Sequence, residues 1–117
     1  MQVRKVYAVV SVANLDIARA WYTQLLGRPS DRHPMAEVHE WYVGDGGLQL
    51  VADPARAGGS MLTLLVDNLD VARRDLAARG LVLGPAFGGD FATVAQLRDP
   101  DGNQVTIAQP GGGQRVH

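Results

Sequence analysis

Three features of this sequence predict an α+β fold built from two tandem β-α-β-β-β modules. The segment Val12-Ala13-Asn14-Leu15-Asp16-Ile17-Ala18-Arg19 returns as Val66-Asp67-Asn68-Leu69-Asp70-Val71-Ala72-Arg73, with six of eight residues identical. Each copy follows an apolar run, Val6 to Val12 or Met61 to Val66, and leads into a pattern of helical period, so each marks a strand-to-helix corner. After each helix a glycine, Gly27 or Gly80, gives way to further apolar runs separated by turn residues.

The first strand is expected over Val3 to Val12, with Tyr7, Val9 and Ser11 on one face and Ala8, Val10 and Val12 on the other. Asn14 stands where an N-cap belongs, and Asp16 puts negative charge at the positive helix end; Asn68 and Asp70 repeat the arrangement. The helix from Leu15 buries Leu15, Ala18, Trp21 or Tyr22, Leu25 and Leu26, and stops at Gly27 with Pro29 behind it. Arg28 to Pro34 reads as a polar connection, Met35 to Val43 as a strand or strand pair, Gly44 to Gly47 as a turn and Leu48 to Ala52 as the last strand of the module. Asp53 to Gly59 has linker composition.

In the second module the strand Met61 to Val66 precedes a helix that buries Leu69, Ala72 and Leu76 and ends at Gly80. Leu81 to Leu83 reads as a short strand, Gly84 to Asp90 as a loop, Phe91 to Arg98 as a strand, Asp99 to Asn103 as a tight turn and Gln104 to Ala108 as the closing strand. One domain over residues 1–110 is expected, with modules over about 1–52 and 60–109, followed by a flexible tail, Gly111 to His117.

The chain has 117 residues, 46% of them hydrophobic, enough for one core shared by two modules that would each be marginal alone. Eleven basic against twelve acidic residues, with no Lys/Arg run, remove the electrostatic case for nucleic acid. The absence of cysteine excludes a disulfide scaffold and thiol chemistry. The start at Met1 shows no secretory pattern and no apolar run reaches membrane length, so a cytoplasmic protein without a membrane partner is expected.

The repeat, the Asn-Leu-Asp corner before a Trp-Tyr helix that ends Leu-Leu-Gly, and Arg98-Asp99-Pro100-Asp101-Gly102-Asn103 before the last strand together resemble the vicinal oxygen chelate superfamily, which includes glyoxalase I, bleomycin-resistance proteins and extradiol dioxygenases. The resemblance covers roughly Val3 to Gln109. It implies a mixed sheet curled around a cavity and, in metal-dependent members, a divalent ion held at four strand positions. Those positions fall here on Tyr7, Gln49, Met61 and Thr106. A phenol, an amide, a thioether and a hydroxyl do not make a divalent site, so neither metal nor cofactor is expected. His33, Glu37, His39 and Glu40 form the one His/Glu cluster and read as solvated surface residues.

A pocket of this composition suits an organic ligand. Tyr7 offers a ring and a hydroxyl, Gln49 a donor and an acceptor, Met61 an apolar wall and Thr106 a hydroxyl. Glu40 and Gln96 hold comparable places in the two modules and are expected to face inward, with Tyr42 on the face of Glu40. Trp41 and Leu97 would then pack beneath the helices, with Trp41 kept among the candidate ligand contacts because a β-bulge would turn it inward. Phe87 and Phe91 flank a glycine-rich loop at the cavity mouth. As catalysts without metal, the candidates are Glu40 as base and Tyr7 as proton donor.

The expectation is a metal-free protein of glyoxalase/bleomycin-resistance type, a homodimer that binds and sequesters a small organic molecule. Two alternatives stand beside it: a glyoxalase-like lyase or isomerase or a dioxygenase-related enzyme, and an interaction protein whose cavity is closed by its own side chains.

Overall fold

The computed structural model describes residues 1–111; of the expected tail, everything beyond Gly111 lies outside the described residues. The first module runs β1 (Tyr7–Val12), α1 (Leu15–Leu26), β2 (Arg32–Met35), β3 (Val38–Val43) and β4 (Gly46–Ala52). The second runs β5 (Met61–Leu65), α2 (Leu69–Ala78), β6 (Phe87–Gly88), β7 (Ala92–Arg98) and β8 (Gln104–Pro110). Each module folds into a four-stranded mixed sheet, ordered β1-β4-β3-β2 and β5-β8-β7-β6. The first and last strands of each pair in parallel and the rest are antiparallel.

Both helices start as their sequence dictates. Asn14 Oδ1 accepts from the Ile17 amide at 3.0 Å and Asn68 Oδ1 from Val71 at 2.9 Å, each cap stabilising its helix by about 1 kcal/mol. Gly27 closes α1 in the left-handed conformation with φ 76°. Tyr22 is the α1 aromatic that enters the core, and Trp21 stays partly exposed beside it, edge to face at 4.8 Å. One side of each sheet faces the helices, and these sides join in a single core of Val10, Val12, Leu48 and Leu50 with Leu62, Leu97, Val105 and Ile107. The shared core explains how two modules too small to be stable alone form one unit.

The sequence placed three segments differently. The first strand begins at Tyr7 rather than Val3, because the parallel ladder with β4 starts at Tyr7 opposite Gly47. Arg28 to Pro34 is not wholly a connection: Arg32 pairs with Glu40 across β2 and β3. Leu81 to Leu83 is not a strand. Leu81 and Leu83 are buried, but the Arg73 guanidinium takes the carbonyls of Leu83 and Gly84 at 2.7 and 2.9 Å, and the ladder partner of β7 is Phe87–Gly88.

The turn before β8 does more than reverse the chain. Asp99 Oδ1 accepts from the amides of Asp101 and Asn103, each at 2.9 Å. Its Oδ2 accepts from the Asn103 side-chain amide and, across the module boundary, from the Tyr22 hydroxyl, each at 2.8 Å. Asn103 passes the connection on, accepting from the Ser60 amide at 2.8 Å and donating to the Ser11 carbonyl at 2.9 Å. Burial, and then the Asp99 carboxylate, push the Tyr22 phenol far above its ordinary value, so it remains a donor. At the far end Arg79 donates to the Gln24 and Leu25 carbonyls at 2.5 and 3.1 Å, satisfying groups that α1 leaves open.

Asp99→Ala strands these donors in the core and is expected to cost on the order of 3 kcal/mol in urea unfolding, against about 1–2 kcal/mol for Tyr22→Phe. The double variant should lose clearly less than the sum, since both changes break the same bond.

Candidate functional site

Residues paired across a sheet project to the same face, so the register fixes what shares each surface. On the first sheet, away from the helices, Val9, Gln49, Glu40 and Arg32 form one row. Tyr7, Gly47 and Tyr42 form the next. On the second sheet Thr63, Thr106 and Gln96 form the matching row, and Met61 lies two residues along β5 from Thr63. Seven of the expected ligand contacts therefore stand on the two open faces: Tyr7, Glu40, Tyr42 and Gln49 on one, Met61, Gln96 and Thr106 on the other. Among the described residues no side-chain hydrogen bond joins the two sets.

Trp41 requires a correction. It is fully buried on the helix side of β3, pairs with Leu48 and donates from its indole to the Arg28 carbonyl at 2.9 Å. The β3–β4 register is unbroken from Val38 to Val43, so no bulge turns Trp41 outward and it packs under α1 instead of meeting a ligand.

The two rows carry matching polar pairs. Gln49 Nε2 donates to Glu40 Oε2 at 2.6 Å, and Gln96 Nε2 donates to Thr106 Oγ1 at 3.1 Å. The Gln49 amide nitrogen faces this carboxyl oxygen, which fixes how the amide is turned. Glu40 is 6% exposed, and among the described residues its Oε1 has no hydrogen-bond partner. The nearest cation, Arg32 Nη1, is 4.0 Å away, too far for a hydrogen bond.

Tyr7 lies flat across Gly47, where a Cβ would come within 2.3 Å of Tyr7 Cε1. Glycine is what lets this ring lie against the sheet. The Lys5 ammonium sits 3.9 Å from the Tyr42 ring centroid and 5.7 Å from that of Tyr7. Desolvation, and then the Glu40 charge, raise the Tyr7 phenol above its ordinary value while Arg32 opposes, so Tyr7 keeps its proton and can donate a hydrogen bond at neutral pH.

The inherited ligand positions do not fit a divalent ion, since a phenol, an amide, a thioether and a hydroxyl stand there on separate sheets. Among the described residues no group of three or more His, Cys, Asp or Glu could hold one. His33 and His39 stack with centroids 3.9 Å apart and planes 17° from parallel, so they present ring faces rather than lone pairs to each other. A cavity of about 480 Å³ opens where the modules meet, walled by Leu25, Val43, Leu64, Leu76 and Arg79, and none of the expected site residues lines it. Phe87 and Phe91 are exposed. Sequence reasoning missed Arg32, hidden in an apparent connection, and Thr63, whose place beside Thr106 only the β5–β8 register reveals.

No family model matches the chain, and no curated protein does. Solved structures match it throughout. A glyoxalase/bleomycin resistance protein from Catenulispora acidiphila DSM 44928 is 27% identical with a TM-score of 0.83, over 90% of this chain and 96% of that one. TnmS3, an antibiotic-binding protein from Streptomyces sp. CB03234, is 24% identical with a TM-score of 0.78, over 95% and 99%. A bleomycin-binding protein complexed with bleomycin is 21% identical with a TM-score of 0.74, over 92% and 98%. The chain has the vicinal oxygen chelate fold of the glyoxalase/bleomycin resistance proteins.

His39 supplies a pH dependence. It is buried, with Nδ1 2.9 Å from Ser30 Oγ, and burial first, then the charges of His33 and Arg19, lower its pKa while Asp16 opposes. The unfolded chain therefore binds the proton more readily than the folded one, so stability is full above about pH 6.5 and falls as pH drops through the window down to the lowered value. The urea midpoint should decrease from about pH 7.5 to about pH 5.5, and His39→Gln should flatten that slope.

Proposed function

We propose that this protein binds and sequesters a small organic molecule on the open sheet faces, with a partner copy laying its second-module face over the first-module face to complete the site. The observation that carries this is the equivalent polar pair at the centre of each face, Glu40–Gln49 and Gln96–Thr106, framed by apolar and aromatic side chains. A few convergent polar groups in an apolar surround fix a ligand's orientation while the surround supplies contact area. Val9, Met35, Met61, Leu65 and Phe87 are exposed on these faces in the single subunit, a loss that pairing of copies removes. The likeness to antibiotic-binding and bleomycin-binding proteins supports sequestration as the mode of action.

In the complex, Gln49 and Tyr7 orient the molecule, Met61 and Tyr42 give area, and Gln96 and Thr106 meet it from the other side. A second reading, proton transfer by Glu40 with Tyr7 as donor, draws on the Tyr7 phenol standing near Glu40 with its proton in place. It would show as turnover of the bound molecule that Glu40→Gln abolishes.

Sedimentation at micromolar concentration should show a dimer. For hits from a metabolite and drug screen, Gln49→Ala should weaken binding about tenfold or more while the fold survives, because a dry polar group left unpaired costs roughly 1–3 kcal/mol. Hits that bind Gln49→Ala and Tyr7→Phe unchanged would place the site elsewhere.

A further inference from the structure

The exposed surfaces, the stacked histidines and the cavity between the modules each lack a feature that specifies a partner. Glu40 has one. Its Oε1 is buried, faces the open side of the first sheet and has no hydrogen-bond partner among the described residues, while Oε2 is held by Gln49 at 2.6 Å. A buried carboxylate oxygen without a donor is costly, and a ligand that brings a donor recovers that cost.

The surroundings decide which donor. Arg32 Nη1 lies 4.0 Å from Oε1, so one guanidinium already stands beside the carboxylate. Asp31 is paired with Arg28 at 2.6 Å. A cationic group approaching Glu40 meets the like charge of Arg32, whereas a neutral hydroxyl or N–H does not. The Tyr7 ring lies flat over Gly47, with Tyr42 in the same row, and such surfaces suit a planar body.

We propose that the ligand of this face is an uncharged, planar aromatic molecule that donates a hydroxyl or amide hydrogen to Glu40 Oε1 while its ring system lies against Tyr7 and Tyr42. This specificity rests on the small-molecule reading above and narrows it to a chemical class. Arg32 acts at a distance, turning cations away from Glu40.

The test uses the full chain and three probes of one shape: naphthol, its methyl ether, and naphthylmethylamine, which is an ammonium at neutral pH. Binding is followed by the amide shifts of β3 and β4. Naphthol should bind at least about tenfold more tightly than the ether, and the ammonium no more tightly than the ether. In Glu40→Leu the naphthol preference should fall below about twofold, while affinity for the ether holds. If Glu40→Leu does not fold, Glu40→Gln keeps the shape, removes the charge and should cut the preference several-fold. Equal binding of naphthol and ether, or a Glu40-dependent preference for the ammonium, overturns the proposal. If no probe shifts β3 or β4, the small-molecule reading itself fails and takes the proposal with it.

Discussion

The fold depends on one carboxylate. Asp99 uses both lone-pair directions of both oxygens, two on its own turn, one on the Asn103 side chain and one on Tyr22. These bonds make the turn rigid, and the rigid turn carries Asn103 to Ser11 and Ser60 at the ends of the two modules. Each unfilled acceptor position on a buried acid is costly, and at Asp99 filling them requires both modules. The single core follows from this anchor and from the Arg79 clasp at the opposite ends of the helices.

This division of labour explains why one side of each sheet is conservative in character and the other is not. Toward the helices, Trp41 and Leu97, Leu48 and Val105, and Leu50 and Ile107 are equivalent pairs, all apolar and buried. Packing density constrains such positions closely. On the open side the equivalent pairs are Tyr7 and Met61, Glu40 and Gln96, and Gln49 and Thr106, which share position and little chemistry. The polar pairs there each form within one sheet, and among the described residues Glu40 Oε1 has no hydrogen-bond partner.

What could be read from the sequence was what local chemistry decides. The repeat located both corners, the caps of Asn14 and Asn68 and the stop at Gly27, because each involves neighbours within a turn. Spacing also placed Glu40 and Gln49 on one face and Gln96 and Thr106 on the other, since a period of two residues propagates through a regular strand. Interactions distant in sequence were not legible. Leu81 to Leu83 has strand composition, but Arg73 claims two carbonyls there and pairing passes to Phe87–Gly88. The Asp99 turn was recognisable by its Pro, Gly and Asn, yet nothing in the turn shows that its carboxylate reaches a tyrosine 77 residues away. Trp41 had a face that depended on whether β3 bulged, and only the unbroken register answers that.

The mismatch between the polar pairs has a consequence of its own. One pair holds a carboxyl group beside Arg32, and the other is an amide on a hydroxyl. A molecule lying across both faces would rest between an end that carries an acid and an end that offers only shape and neutral hydrogen bonds. Such a site has a head and a tail. A guest bound across both faces would meet unlike ends of two equivalent modules and would be held in one sense only.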